Sequence, residues 1–374
     1  MMPDTNSDPA ACGATPEGTQ RYRDRFPDLP GHFRQQQGWW LSSIGLGTYL
    51  GEPDADTDAG YSASVECAIA SGINVIDTAI NYRFQRSERT IGAALQALFE
   101  SGRAQRDEIV VASKGGYVPF EDGYPADPER AIRERYIDTA IVRAIDFVNG
   151  HCIAPEYLWF QIDQSRRNLG VACVDIYYLH NPEAQLEAVS RADFRARLHT
   201  AFEFLEDRVD QGWIQYYGTA TWNAYRVSPK TGGYLALEEV LAVAREVRGI
   251  HHHCRFIQLP FNLGMLEALV ARNQRAGSEL MSMLEASQRL GVTVMCSATL
   301  LQAQLLGKIP DVLRAQFGPL TTDAQRAIQF TRSAPGVTTA LVGMSRAGHV
   351  EENIATAKNP PLDETAFKQL FVHR

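Results

Sequence analysis

The stretch "VIDTAINYRFQRSERTIG", Val75 to Gly92, opens as an apolar run, ends that run on a carboxylate, Asp77, and brings in a phenol, Tyr82, shortly after. Two more titratable groups close apolar runs in the same way: Lys114 after "EIVVAS" and His180 after "VDIYYL". Polar groups at the ends of buried strands are costly unless paired, so an aspartate and a lysine there suggest each other as partners. A lysine close to a tyrosine favours the phenolate and lowers the phenol's pKa toward useful proton transfer, while the aspartate keeps the lysine charged and in place. A histidine can donate to a carbonyl oxygen and orient it. The four together suit the interconversion of a carbonyl and an alcohol with hydride from a cofactor. Taken singly, Asp77 could merely open a turn, Lys114 could be a solvated loop residue and His180 a turn histidine before Asn181-Pro182. It is their recurrence at successive strand ends that argues for a site.

Such groups converge only if the strands that carry them lie side by side. From "GWWLSSIGLGTYLG" onward, an apolar helix face, a glycine and a short apolar strand recur, as in "ECAIASGINVIDT", "SRRNLGVACVDIYYLH" and "EASQRLGVTVMCSA". The glycine suits the left-handed residue just past a helix end. Ile91, Leu95, Leu98 and Phe99 form one helical stripe, and Phe194, Leu198, Ala201 and Phe202 another. The strands are nearly continuous apolar runs, as parallel strands buried on both faces are. Eight can be read: "SIGLGTY", "INVIDT", "EIVVASK", "VDIYYLH", "IQYYGTA", "RFIQLP", "VTVMCSA" and "TTALVG". The expected fold is α/β, a (β/α)8 TIM barrel with an N-terminal hairpin turning near Gly38 and long loops on the catalytic face, residues 115–154 and 298–321. Residues 1–30, rich in Pro, Asp, Gly and Thr, read as a flexible or loosely docked arm, and 31–374 as a single domain. The first strand lacks the G-x-G-x-x-G turn of an open dinucleotide-binding sheet. Trp39 and Trp40 are expected to pack beneath the barrel.

With those residues in hand, the chain resembles the aldo-keto reductase superfamily from about residue 40 to about 358. Asp77 to Tyr82 match its D-x-A-x-x-Y segment, Lys114 its strand-end lysine, and His180 in "YYLHNP" its strand-end histidine. The resemblance implies Asp77, Tyr82, Lys114 and His180 as a catalytic tetrad with Tyr82 as general acid and base. It also implies that "LVGMSRAGHVEENIATA" is the nucleotide-binding end, with Gly343, Ser345, Arg346, Glu352 and Asn353 on it. A glycine and serine opening a helix offer N–H groups and a hydroxyl to an anion, and Arg346 could grip a 2′-phosphate, which favours NADPH over NADH, the latter possible. Gln258 and Thr221 fall where the family holds the nicotinamide carboxamide, and Ser297 where it contacts the pyrophosphate. Three departures stand out: Ala220 and Thr221 replace a Ser-Asn pair, Cys296 takes the position of a stacking aromatic, and His349 that of an arginine.

Other classes fit less well. A net charge of −8, with 45% hydrophobic and 21% charged residues, describes an ordinary soluble acidic protein with no basic stripe for nucleic acid. No apolar run is long enough to span a membrane, and six cysteines without a C-x-x-C pair suit a reducing, cytoplasmic location. The "HHHC" run, His251 to Cys254, invites a metal, but adjacent strand residues alternate faces, and no metal site is expected. Arg83, Arg86, Glu88 and Arg89 suit a helix start better than contacts to an acidic substrate. The expected partner is a small carbonyl compound or a sugar. The rival reading is an NADP(H)-binding regulatory or sensor protein with little turnover, supported by the altered positions Ala220, Thr221 and Cys296.

Overall fold

Each apolar run of the sequence is a short strand in the computed structural model, which describes residues 13–121 and 123–372. An antiparallel pair, β1 (Phe33–Gln36) and β2 (Trp39–Ser42), comes first. β3 (Ile44–Gly47), β4 (Val75–Asp77), β5 (Val110–Gly115), β6 (Val174–His180), β7 (Ile214–Ala220) and β8 (Cys254–Pro260) follow, with helices between them. A second antiparallel pair, β9 (Gln274–Ala276) and β10 (Glu279–Met281), precedes β11 (Thr293–Ser297) and β12 (Val337–Gly343). β3 to β8, β11 and β12 pair in parallel around a closed ring, with β8 joined to β11 and β12 joined to β3. This is the expected eight-stranded barrel; the β9–β10 pair is an addition that the sequence pattern did not suggest.

The two faces of each strand define two cores. Val75, Val110, Ala112, Ile176, Tyr178, Phe256, Met295 and Leu341 fill the barrel interior. Ile76, Val111, Tyr177, Leu179, Ile257 and Val294, one residue out of phase, meet the helices. In the helix Arg86–Glu100, Ile91, Leu95 and Leu98 are buried, and Phe99 packs against the same core. All four residues of the second stripe are buried along Arg191–Asp210.

The N-terminal hairpin turns at Gln37 and Gly38, both with positive φ (51° and 88°), the geometry of a two-residue turn whose twist suits antiparallel strands. It plugs the lower end of the barrel: the Trp39 ring lies 5.0 Å from Tyr216 and 6.1 Å from Phe256, and Trp40 lies under the Arg23 guanidinium at 4.0 Å.

The expected arm differs from what is found over its second half. Residues 1–12, Cys12 among them, lie outside the described residues. Beyond them, Pro16–Asp24 is a helix whose N-cap Thr15 accepts from the Gly18 N–H. Tyr22 is fully buried and donates its hydroxyl to the Ile69 carbonyl at 2.6 Å. Arg21 and Arg25 pair with Glu108 at 3.0 and 2.8 Å. One tyrosine and a set of ion pairs to Asp107 and Glu108 dock this segment, too sparse an apolar signal for composition to reveal.

Both long connections leave the C-terminal ends of strands. The one after β5 builds a small core of its own from Val118, Tyr136, Val142, Cys152 and Tyr157. Among the described residues, no helix is long and apolar enough to cross a membrane.

Candidate active site

The alternation that fills the barrel interior also determines which residue ends each strand on the inside. Asp77 follows Val75, Lys114 follows Ala112, His180 follows Tyr178 and Gln258 follows Phe256, each two positions beyond an inward residue. Ala220 is itself inward, and Ser297 and Gly343 follow the inward Met295 and Leu341. The same rule corrects the reading of Cys296. It is fully buried in the outer core, so it does not face the pocket.

Lys114 is wholly buried and donates from Nζ to Asp77 Oδ1 at 2.6 Å and to the Thr78 carbonyl at 2.8 Å. The other carboxylate oxygen, Asp77 Oδ2, accepts from Gln258 Nε2 at 2.7 Å. The Lys114 ammonium lies 4.8 Å from the centre of the Tyr82 ring. Burial pulls Lys114 toward the neutral form, but Asp77 and Tyr82 outweigh it and raise its pKa. For Tyr82 the balance runs the other way: burial raises the phenol's pKa above its ordinary value, and the Lys114 charge only reduces that rise. The expected net lowering is therefore not found. Burial, then the charge of Lys114, holds His180 well below its ordinary pKa, so its ring is neutral. Its Nδ1 is buried without a partner, which leaves Nε2 as the nitrogen available to the pocket.

Tyr82 is carried by an unusual turn. Arg83, Phe84 and Gln85 all have positive φ (48°, 57° and 71°), a left-handed run that non-glycine residues rarely adopt. Side chains on both sides hold it. Arg83 donates to the Glu52 carbonyl at 2.9 Å and to Asp58 at 2.7 Å, and Arg86 also pairs with Asp58. Gln85, fully buried, accepts from Asn168 at 3.2 Å and donates to Glu121 at 3.1 Å. Glu88 is buried at the start of the helix, where it accepts from Ser113 at 2.5 Å and Asn168 at 2.9 Å. Arg89 is exposed and turned toward Asn168 and Glu121. The charged cluster is thus structural, in line with the helix-start reading, and none of the four lines the pocket.

His180 is braced from behind. Its carbonyl accepts from His151 Nε2 at 2.8 Å, while Gln185 Nε2 reaches His151 Nδ1 at 2.9 Å, so His151 carries its proton on Nε2. Arg197 in turn donates to Gln185 Oε1. Rings link edge to face along the site: Tyr49 to Tyr82 at 5.0 Å, Tyr82 to His180 at 5.8 Å, His180 to Tyr117 at 5.3 Å and Tyr117 to His151 at 5.0 Å.

A cavity of about 660 Å³ opens above this set and runs on to the helix Ala347–Ile354. Asp77, Tyr82, His180, Thr221, Gln258, Ser297, Gly343, Ser345, Glu352 and Asn353 all line it, as expected from the sequence. Lys114 lies beneath, closed off from it. Arg346 is the exception: it stands exposed at the helix N-cap and is not part of the wall, whereas His349, one turn in, is. Ala298, Thr299, Leu300, Gln302, Ala303 and Leu306 of the loop after β11 form a rim, but among the described residues of the connection after β5 only Tyr117 reaches the cavity. Beyond Tyr117, that connection folds onto a core of its own. Tyr49 and Tyr117 were missed, although each stands two positions past a strand end, in "GLGTY" and "SKGGY". Among the described residues, no group of three His, Cys, Asp or Glu is placed to hold a metal. In the "HHHC" run, His253 pairs with Glu206 at 2.7 Å.

The model of the Aldo/keto reductase family matches residues 43–371. The chain belongs to that family. Among curated relatives of this aldo/keto reductase family member, a probable voltage-gated potassium channel subunit beta of Arabidopsis thaliana is 23% identical over 80% of this chain and 82% of its own length. A D-threo-aldose 1-dehydrogenase of a Pseudomonas species is 30% identical over 42% of each chain. Among solved structures, an aldo/keto reductase from Klebsiella pneumoniae in complex with NADP and acetate has a TM-score of 0.60 at 22% identity, covering 91% of this chain and 94% of its own. An aldo-keto reductase from Bacillus halodurans, in its holo form, also has a TM-score of 0.60, at 20% identity over 90% and 95%. At these identities, the structures share the barrel fold.

Proposed function

We propose that this aldo/keto reductase family member is an NADP(H)-dependent oxidoreductase that interconverts an aldehyde or ketone and its alcohol, with Tyr82 as general acid and base. The observation that carries this reading is the meeting of Tyr82, Lys114, Asp77 and His180 at the floor of a cavity that continues to a helix N-terminus. The NADP complex of the Klebsiella relative supports the cofactor.

The groups present suit a dinucleotide. Thr221 Oγ1 is buried without a partner, and the helix Ala347–Ile354 has no side-chain cap on its N–H groups. An orphan hydroxyl suits an amide, and free helix N–H groups suit a phosphate. Thr221, Gln258, Ser297, Gly343, Ser345, Glu352 and Asn353 would hold the cofactor. Arg346 at the N-cap of that helix and His349 in the cavity wall are the basic groups that would meet a 2′-phosphate, and NADH is the alternative if they do not engage one.

When bound, the cofactor supplies or takes up hydride. In reduction, Tyr82 gives its proton to the carbonyl oxygen, and in oxidation it takes the proton back. Lys114 stabilises the phenolate as it forms, and Asp77 keeps Lys114 charged and in place. Neutral His180 donates to the same oxygen and orients it.

Fluorescence titration with NADPH, followed by a screen of aldehydes, ketones and aldoses, tests the reading. Binding together with oxidation of NADPH is the expected result. Binding with no turnover of any compound would reject it in favour of a regulatory or sensor protein, the reading supported by the likeness to the channel subunit beta.

A further inference from the structure

Resting on the reductase reading above, we propose that Arg83 is a positioning residue for Tyr82. From outside the cavity, its guanidinium clamps the turn that carries Tyr82 to residues 52–58, and so couples the placement of the proton donor to the cavity mouth at Tyr49 and Leu50.

The turn after Tyr82 would not keep its shape by itself. Arg83, Phe84 and Gln85 have φ of 48°, 57° and 71°, a region where a side chain crowds its own backbone. Three such residues in succession persist only where the surroundings outweigh the strain. The Arg83 side chain is 1% exposed, and its hydrogen bonds all end on one neighbouring segment. Nε donates to the Glu52 carbonyl at 2.9 Å, and Nη2 donates to the Asp54 carbonyl at 3.3 Å and to Asp58 Oδ1 at 2.7 Å. Burial alone would raise the Asp58 carboxyl, yet Arg83, Arg86 and Thr90 outweigh it and hold it below its ordinary range. The pair is therefore charged at neutral pH.

That segment is continuous with the mouth. The Arg83 guanidinium lies 5.5 Å from the centre of the Tyr61 ring, and the Tyr61 hydroxyl donates to the Leu50 carbonyl at 2.7 Å. Tyr49, Leu50 and Tyr61 all line the cavity, and the Tyr49 ring meets the Tyr82 ring at 5.0 Å. One side chain thus grips the segment behind a cavity wall while its backbone adjoins Tyr82.

The helix that follows does not depend on Arg83. Arg86 and Thr90 reach Asp58 by themselves, and Ser87 donates to the Thr48 carbonyl at 2.8 Å. Loss of the Arg83 side chain frees the turn and leaves the helix start anchored. Tyr82 has the Lys114 ammonium 4.8 Å from its ring centre, and proton transfer needs its hydroxyl aimed at the reacting oxygen. A displacement of about 1 Å is enough to slow that step severely. Cofactor binding is spared, because Arg83 touches none of the residues proposed to hold it.

The test uses the full chain with NADPH and 4-nitrobenzaldehyde. Glycine accepts positive φ, so Arg83→Gly removes every tie without adding strain. Its kcat should fall about tenfold or more, with NADPH affinity, read by fluorescence, changed less than about twofold. Arg83→Lys keeps a charge for Asp58 but loses the fork that also reaches the carbonyls, so its kcat should fall between the two. In the Tyr82→Phe background, Arg83→Gly should lower the residual rate by less than about twofold, since a residue that acts through Tyr82 has nothing left to place. Wild-type kcat in Arg83→Gly, or the same loss in both backgrounds, would overturn the proposal. If Arg83→Gly does not fold, Arg83→Lys is carried through the same cycle with the same criteria. If the wild-type protein reduces neither this aldehyde nor any compound of the screen above, the reductase reading fails on its own. The clamp is then judged by amide hydrogen exchange over residues 78–82: exchange about tenfold faster in the variant upholds it, and an unchanged rate overturns it.

Discussion

Gln258 donates its amide to Asp77 Oδ2 at 2.7 Å, while Lys114 holds the other oxygen of the same carboxylate at 2.6 Å. One side chain at the end of β8 therefore belongs both to the wall of the proposed cofactor cavity and to the pair that supports Tyr82. Gln258→Leu should leave Asp77 Oδ2 without a donor, at a cost of about 1–3 kcal/mol. Lower thermal stability, weaker NADPH binding and slower turnover are expected together. Weaker binding alone, with stability and kcat unchanged, would mean that the bond to Asp77 is idle.

Tyr82→Phe should preserve NADPH affinity measured by fluorescence and lower kcat by about 10²–10⁴-fold, the range for loss of a general acid. Lys114→Met removes one partner of a buried ion pair and leaves Asp77 uncompensated, which costs about 3–5 kcal/mol of stability, read by urea unfolding.

The raised pKa of Tyr82 and the lowered pKa of His180 make a pH prediction for reduction. Tyr82 must be protonated and His180 neutral, and both conditions hold across neutral pH. Turnover should stay level on either side of pH 6.5, the ordinary histidine value, and decline only in alkali. A sigmoid loss of kcat centred near neutrality would contradict the assignment of His180 as a neutral donor.

Gly116 has φ +141°, and a Cβ there would fall 2.6 Å from His151 Nε2 and 3.0 Å from the His180 carbonyl oxygen. Gly116→Ala should therefore displace the brace behind His180. Destabilisation by more than about 1 kcal/mol is expected, with reduced turnover in the fraction that remains folded. Differential scanning calorimetry beside steady-state kinetics measures both.

Three buried histidines make the fold sensitive to acid. Burial lowers His32 to about 3, and His151 and His252 each to about 4, from an ordinary 6.5. The unfolded chain thus binds protons that the folded chain refuses, so stability is full above pH 6.5 and falls as the pH drops toward 4. Glu183 acts in the opposite sense: burial raises it to about 7, so its contribution is lost as the pH rises from its ordinary 4.5 toward that value. Melting temperature should decline below pH 6.5, and His151→Gln should flatten that decline.

The barrel and the four groups at its floor were legible because both follow from local rules. A strand buried on both faces is a continuous apolar run, and a polar residue ending it on the inward phase must face the strand-end cavity. Asp77, Lys114, His180 and Gln258 could be read in this way, one strand at a time. Cys296 was misread because its phase was not followed through from Met295. The direction of the Tyr82 shift was misjudged because proximity to Lys114 is visible in strand order, whereas the depth of burial is not.

Contacts between segments far apart in the chain left no such trace. Nothing near Arg83 in sequence announces Asp58 as its partner, and nothing in "HC" at Cys152 announces that His151 reaches the His180 carbonyl. The docking of Pro16–Asp24 through Tyr22, the folding of the connection after β5 onto its own core, and the pairing of Asn181 with Tyr117 and Trp222 are of the same kind. Strand phase is a property of neighbours two residues apart, so sequence alone carries it; hydrogen-bond partners 25 to 64 residues away are chosen by how the connecting segments pack on the closed barrel, and that choice exists only once the barrel has formed.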